Sequence, residues 1–335
     1  MNDISNFFQL KTIFMSQQSY KIIVTTHKNP DGDALGSSIA ISRFLRKLGH
    51  QVSLVIPDAI PSFYKWMPDL DRAIIFDDDN ALCFSLFSDA DYLIATDLNS
   101  LSRNMSMSVS TNNIKAFRIC IDHHLDPPQN EWNILISDNK VSSTSEIVYD
   151  LLTYMEPGLI DKQIAECIYT GIYTDTNKFF HCCNCPHPYE IMAELIKKGI
   201  NVHEINNLIY NSYTYDRFRL LGYSIYEKLK FLENKGVAYI KLTQKELQEF
   251  NYHPGYTEGI VSMPLSIENV NVSALISERK DRIKISLRSK AAYDVRYLAQ
   301  RYFNGGGHKN ASGADFYGSL DEAEKIFLKA IEEYL

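Results

Sequence analysis

The 335-residue sequence contains no apolar run long enough to span a bilayer. It also lacks any long basic run, and its formal net charge is −7. That balance argues against a long nucleic acid held by broad electrostatic attraction. Short oligonucleotides or mononucleotides gripped in one pocket stay open. The opening stretch MNDISNFFQLKTIFMSQQ has neither the basic start nor the cleavage site of a secretory signal. The expected location is therefore cytoplasmic, with no membrane partner. There is no internal repeat and no low-complexity tract. Cysteines number six, and disulfides are not expected in a cytoplasmic chain. Cys182, Cys183 and Cys185 cluster in HCCNCPH beside His181 and His187, but the spacing is poor for zinc, and free thiols in a loop are the expectation.

Hydrophobic residues make up 45% of the chain, enough for a substantial core, and the length suits two domains. The first residues read as a helix with Ile4, Phe7, Phe8 and Ile13 on or near one face. The first half then alternates short apolar strands with amphipathic helices. KIIVTT, HQVSLVIP, DYLIATD and FRICID read as strands, apolar enough to be buried on both faces. DALGSSIAISRFLRKLG reads as a helix stopped by Gly49, and DKQIAECIYTGIYTDT as a helix feeding a polar turn. The pattern predicts an α/β fold with a mostly parallel sheet flanked by helices.

After residue 186 the sequence turns helical without strand runs. GVAYIKL, NVSALISE and RIKISLRS follow as strands, with RKD turning the last two into a hairpin. Two helices, DVRYLAQRY and LDEAEKIFLKAIEEYL, enclose FNGGGHKNASGADF. The predicted organisation is a catalytic domain over 1–188, a helical connector over 189–214 and a smaller α+β domain over 215–335.

Four groups of acidic and histidine residues each follow an apolar run: His27, Asp31 and Asp33; Asp97; Asp122, His123 and His124; and Asp175. In an open parallel sheet the carboxyl ends of the strands share one edge, and ligands bind there. Carboxylates converging without cations would raise one another's pKa values, a cost that divalent ions remove. Mixed carboxylate and imidazole donors suit Mn²⁺, Fe²⁺ or Zn²⁺ better than Ca²⁺. The donors suffice for two ions, which when roughly 3.5–4 Å apart clamp both oxygens of an in-line phosphoryl displacement. Asp97, standing alone, is the natural bridge. Each group by itself has an ordinary explanation: Asp31 and Asp33 as turn and cap residues, His27 as a loop histidine, Asp97 and Asp175 as turn caps. Their combination and order do not.

These residues carry a resemblance. HKNPDGDALGSS, ATDLNS, IDHH and GIYTDT resemble the four motifs of the DHH phosphoesterases, and GGGHKNASG resembles the signature of the DHH-associated C-terminal domain. The likeness covers nearly the whole chain and points to the branch that degrades nanoRNA and dephosphorylates 3′-phosphoadenosine 5′-phosphate (pAp). It implies that His27, Asp31 and Asp97 bind one metal, and Asp33, Asp97, His123 and Asp175 the other. Asp122 would orient the neighbouring imidazole, and His124 would face the substrate phosphate. Manganese is the family's usual metal, so two Mn²⁺ ions are the implied cofactors. The C-terminal domain would hold a terminal phosphate and base.

The glycine-rich segment has its own chemistry. Gly305, Gly306 and Gly307 can bring backbone N–H groups to an anion, and His308 and Arg288 add side-chain donors. Arg279 and Lys309 are weaker candidates. Asn304 and Ser312 depart from the glycine and alanine of many relatives, and Asn177 and Lys178 from smaller residues. The implied substrates are short single-stranded oligonucleotides or pAp, with a homodimer allowed. The alternatives are linear or cyclic dinucleotides, longer strands or pyrophosphate in the same fold, or a nucleotide-binding sensor without turnover.

Overall fold

The computed structural model describes residues 2–101, 107, 115–290 and 292–334. The chain forms two compact units, Met1–Ser212 and Tyr213–Leu335. The first unit runs α1 (Asn2–Phe14), β1 (Lys21–Thr25), α2 (Gly32–Lys47), β2 (Gln51–Ile56), β3 (Ile74–Ile75), α3 (Asn80–Asp89), β4 (Tyr92–Thr96), β5 (Phe117–Asp122), β6 (Ile134–Ser137), α4 (Thr144–Met155), α5 (Lys162–Asp175), α6 (Pro186–Lys197) and α7 (Val202–Tyr210).

Among the described residues its strands lie in the order β3-β2-β1-β4-β5-β6, all parallel. Alternation along each strand feeds two cores. Ile22, Val24, Ile94, Ile119 and Ile121 pack with α2, α4 and α5 on one face, while Ile23, Leu93, Ala95 and Cys120 pack with Cys83 and Phe87 of α3 on the other. β1 leads outward to β2, yet its other neighbour is β4, whose chain runs on to β5. That reversal opens a crevice at the carboxyl ends of β1 and β4.

Several local expectations are revised. In α1 the buried side chains are Phe7, Leu10 and Phe14, whereas Ile4 and Phe8 are exposed. The i, i+3, i+7 stripe is what a helix can turn toward one core. α6 and α7, expected in the connector, bury Ile191, Leu195, Ile205 and Ile209 in the first unit's core. β3, α3, β6 and α4 had no counterpart in the sequence reading.

The second unit comprises α8 (Tyr215–Tyr226), β7 (Leu229–Leu232), β8 (Val237–Leu242), α9 (Gln244–Glu249), β9 (Val272–Glu278), β10 (Ile283–Ser289), α10 (Val295–Phe303), β11 (Gly306–His308), β12 (Ala311–Phe316) and α11 (Leu320–Tyr334). Its mixed sheet has the order β11-β12-β10-β9-β8-β7. Ile283, Ile285 and Leu287 pack with α10 and α11 on one face, and Ile240, Leu242 and Leu275 pack with α8 and α9 on the other. The β9–β10 hairpin forms with Glu278 opposite Ile283. The glycine-rich segment is not a plain loop: Gly306–His308 pairs antiparallel with Ala311–Gly313.

Candidate metal centre

Register brings the candidate residues together. Thr25 lies opposite Ala95, and Thr96 opposite Ile121. Two residues beyond the first pair and one beyond the second, His27, Asp97 and Asp122 stand side by side at the sheet's carboxyl edge. Asp97 leaves its strand in the left-handed region, φ 57°, which costs about 1–3 kcal/mol and turns its carboxylate into the crevice. Its N–H still donates to Ile121 O at 3.0 Å.

The two Asp97 oxygens face different partners. Oδ2 lies 3.3 Å from His27 Nε2, and Oδ1 lies 3.6 Å from His123 Nε2 and 3.4 Å from His124 Nδ1. His27 Nε2 is also 3.8 Å from Asp31 Oδ1. His123 Nε2 is 3.6 Å from Asp175 Oδ2 and 4.0 Å from Asp33 Oδ2. Three sets of donors in this unit have their ligand atoms within 4.8 Å of one another: His27–Asp31–Asp97, Asp33–His123–Asp175 and Asp97–Asp122–His124, in the last of which Asp122 and His124 already pair with each other. Asp97 belongs to the first and reaches the second through its other oxygen.

Asp31 serves twice. As N-cap of α2, its Oδ1 accepts from Asp33 N and Ala34 N, both at 3.0 Å. Asp33 is no cap. Buried, it accepts from Thr144 N at 2.7 Å and Ser145 N at 2.9 Å, so the N-terminus of α4 points at its charge. Asp175 ends α5 rather than sitting in a turn, and Thr176 follows as C-cap. Asp122, fully buried, accepts from His124 N at 3.0 Å and faces His124 Nδ1 at 2.8 Å. The imidazole that Asp122 orients is thus that of His124.

A glycine permits this packing. A β-carbon on Gly171 of α5 would lie 2.8 Å from Asp33 Oδ1 and overlap Ser145 Oγ.

The electrostatics ask for cations. His27 Nδ1 meets Lys28 O at 2.9 Å and must donate to it, so a neutral ring would turn the Nε2 lone pair toward two carboxylates, an arrangement that only a proton or a cation on Nε2 relieves. Burial opposes a charge on His27, but Asp31 and Asp97 prevail and raise its pKa well above the usual value. Burial likewise opposes charge on His123, and Asp175, Asp97 and Asp33 raise it to about 9. Burial and the charges of Asp97 and Asp175 push Asp33 well up. Burial lifts Asp175 to about 6 against the pull of His123. Asp97 stays well below the usual range, because His27, His124 and His123 outweigh its burial. Protons here hold places that fit divalent ions.

Thr144 and Ser145 escaped the sequence reading. The Thr144 hydroxyl donates to Asp97 Oδ1 at 2.9 Å. The available signal was SSTSE, a helix-start pattern in which Ser143 caps by accepting from Glu146 N.

In the second unit Arg288 lies opposite Ala311, which lies opposite His308. Directly paired residues share a face, so the guanidinium and imidazole flank a pleat floored by Ser286, Gly313 and Gly306. Gly307, between Gly306 and His308, has φ 129°, which few side chains tolerate. Gly305 precedes the strand and donates from its N–H to Ala299 O. Asn304 caps α10 with φ 51°, a position glycine or asparagine fills. Ser312 Oγ donates to His308 O at 2.7 Å. Lys309 is exposed in the hairpin turn, its carbonyl accepting from Val295 N. Arg279 is not brought to this row. It follows β9 at the opposite end of the sheet, 4.3 Å from the Tyr252 ring centroid, with Nη2 donating to Thr257 Oγ1.

Among the described residues, no three-donor grouping includes Cys182, Cys183 or Cys185. The side chain of His181 lies outside the described residues. No helix among them is long and apolar enough to cross a membrane.

Residues 21–172 match the model of the DHH family, N-terminal domain, and residues 234–335 that of the DHHA1 domain. A probable bifunctional oligoribonuclease and PAP phosphatase NrnA of Streptococcus mutans is 31% identical over 95% of this chain and 96% of its own length. The crystal structure of an exopolyphosphatase-related protein from Bacteroides fragilis superposes with a TM-score of 0.91 at 39% identity, covering 99% of this chain and 96% of that one. RecJ from Thermus thermophilus, crystallised with Mn²⁺, shares the fold at a TM-score of 0.57 and 14% identity, over 100% of this chain and 55% of RecJ. With paired donor sets at the sheet edge and these matches along its length, the chain belongs to the DHH family and carries a C-terminal DHHA1 domain.

Proposed function

We propose that this chain is a metal-dependent phosphoesterase that hydrolyses short oligonucleotides to mononucleotides and pAp to AMP. The observation that carries the reading is the divided carboxylate of Asp97, with one oxygen toward His27 and the other toward His123. A bridging ligand between two ions has this disposition. His27, Asp31 and Asp97 would hold one ion, and Asp33, Asp97, His123 and Asp175 the other. Mn²⁺ fits the mixed imidazole and carboxylate donors. When bound, the ions supply Lewis acidity toward a phosphoryl oxygen and acidify water.

The chain's own groups do the rest. The α4 N-terminus orients the carboxyl group of Asp33 through two backbone N–H groups, and Thr144 fixes the rotamer of Asp97. Asp122 holds His124 by backbone and ring, and in its imidazolium form His124 would donate from Nε2 to a phosphate oxygen or protonate the leaving oxygen. The small-residue pleat between Arg288 and His308 would suit a terminal phosphate, since both residues lie on one face of the sheet where the backbone is open to close approach. The relative from Streptococcus mutans carries both activities in its name, which supports reading both substrates here.

The test is release of mononucleotides from di- to pentaribonucleotides, and of AMP from pAp, by purified protein with Mn²⁺. A panel including cyclic dinucleotides, a long single strand and pyrophosphate separates the alternatives. Asp97→Ala is expected to abolish turnover. Near-normal turnover in that variant would refute the bridge, and binding of pAp without hydrolysis by the native chain would identify a sensor.

A further inference from the structure

The segment between α5 and α6 carries three cysteines that the site above does not use. Cys182 is buried, at 4% exposure, and ends a short 3-10 turn, while Cys183 and Cys185 are exposed. Cys185 is the N-cap of α6, and its N–H donates to Cys182 O at 2.9 Å. This bond closes a four-residue turn, Cys182–Cys183–Asn184–Cys185. Such turns hold their end Cα atoms within about 7 Å, and disulfides span about 4.4–6.8 Å. The turn thus brings the two Cα atoms within the separation that a disulfide spans, and rotation of the exposed Cys185 side chain would complete the bond. His187, the nearby imidazole, is engaged elsewhere: its Nε2 is 3.0 Å from Asp150 Oδ2 and its Nδ1 is 3.6 Å from Glu190 Oε2.

We propose that Cys182 and Cys185 form a dithiol site that exchanges with small-molecule disulfides. The exposed Cys185 loses its proton and attacks one sulfur of the incoming disulfide. One small thiol departs, and a mixed disulfide remains on Cys185. Cys182 then loses its proton, attacks Cys185 Sγ and displaces the second thiol. Two electrons pass from the protein to the small molecule, and two protons end on the two departing thiols. Burial, with the neighbouring Cys185, holds the Cys182 thiol up to about 11, so Cys182 waits protonated and acts second.

The bond has a route to the metal centre. The hydroxyls of Ser142 and Thr176 lie against the Cys182 thiol. Thr176 directly follows Asp175, and Ser142 precedes the α4 terminus that holds Asp33. Between Thr176 and the cysteine turn, Asn177, Lys178 and Phe179 all take left-handed backbone, with φ of 47°, 60° and 67°. Each such residue is strained and persists only while its surroundings enforce it. Drawing Cys182 Sγ toward Cys185 removes it from both hydroxyls and lets this run relax, leaving Asp175 less rigidly placed. This coupling rests on the assignment of Asp175 as a ligand; the dithiol exchange does not.

The test uses the full chain with Cys183→Ser, fully reduced and then incubated with glutathione disulfide. The expected product is lighter by two hydrogens, yields a peptide linked between Cys182 and Cys185, and is restored by dithiothreitol. Cys185→Ser added to that variant removes the linked peptide. Calorimetry is expected to show Mn²⁺ binding weakened about tenfold in the linked form. A persistent glutathione adduct with no internal link, or a link between other cysteines, overturns the dithiol site. Unchanged Mn²⁺ binding in fully linked protein overturns the coupling, and no Mn²⁺ binding in the reduced protein overturns the metal assignment instead.

Discussion

The Thr144 hydroxyl donates to Asp97 Oδ1 at 2.9 Å, tying the start of one helix to the carboxylate that divides the two donor sets. The backbone N–H of the same residue donates to Asp33 at 2.7 Å. One residue therefore orients a carboxylate of each set, and it does so from a helix terminus whose dipole favours the negative charge.

Thr144→Val keeps the shape and removes the hydroxyl. Turnover of a diribonucleotide and Mn²⁺ affinity are both expected to fall by about 10- to 100-fold. Thr144→Ser restores most of each. Equal values for the valine and native forms, by single-turnover kinetics and calorimetry, would show that Asp97 needs no such support.

Asp122→Asn leaves an acceptor for the His124 N–H but loses the charge beside Nδ1. The expected result is about 10²-fold slower turnover with Mn²⁺ affinity little changed, since the loss falls on orientation of the imidazole. A matching collapse in metal affinity would place Asp122 among the ligands instead.

Gly171→Ala drives a methyl group into Ser145 and Asp33. Destabilisation of about 1–3 kcal/mol is expected from the overpacking, together with weaker metal binding through the displaced Asp33. Urea denaturation with and without Mn²⁺ measures both effects. A variant as stable and as metal-avid as the native chain would mean that α5 shifts freely away from α4.

Metal entry must expel protons. His27 sits well above the usual histidine value, His123 is at about 9 and Asp175 at about 6. Mn²⁺ affinity is expected to climb as pH rises between about 6 and 9, with proton release visible as a buffer-dependent enthalpy. An affinity flat across that range contradicts the ligand set.

Without metal the sign for stability is opposite. The folded-state pKa of His123, about 9, exceeds the unfolded value near 6.5, so its stabilisation is full below 6.5 and is lost as pH rises toward 9. Asp175, raised from 3.8 to about 6, adds a loss of the same sign between those values. The metal-free urea midpoint is expected to fall from pH 6.5 to 9 by the equivalent of about 1–3 kcal/mol. Saturating Mn²⁺ should cancel the fall; its persistence would assign the titration to other groups.

The strands β1, β2, β4 and β5 and the helices α2 and α5 were legible because their signals are local. Apolar runs mark buried parallel strands, and a 3.6-residue stripe with a glycine stop marks a helix. The short β3 and β6 carried too few residues to show a period. α1 was legible as a helix, but of its expected apolar face Phe7 and Ile13 pack on the core while Ile4 and Phe8 are exposed, since Ile4 and Phe8 are as apolar as Leu10 and Phe14. Only the packing partner decides which of them is covered.

By itself the amino-acid order determined which chemical groups follow which strands: imidazole and carboxylates after the first, one aspartate after Thr96, and the Asp122–His124 triplet at the end of β5. It could do so because strand and turn propensities act over a few neighbouring residues. Tertiary structure alone decided that Asp97 faces His27 with one oxygen and His123 with the other, and that Asp122 serves His124. It also decided that a helix terminus at Thr144 grips both Asp33 and Asp97. Those outcomes depend on parallel register and on helices crossing over Gly171, contacts between residues far apart in the chain, and no local pattern encodes them.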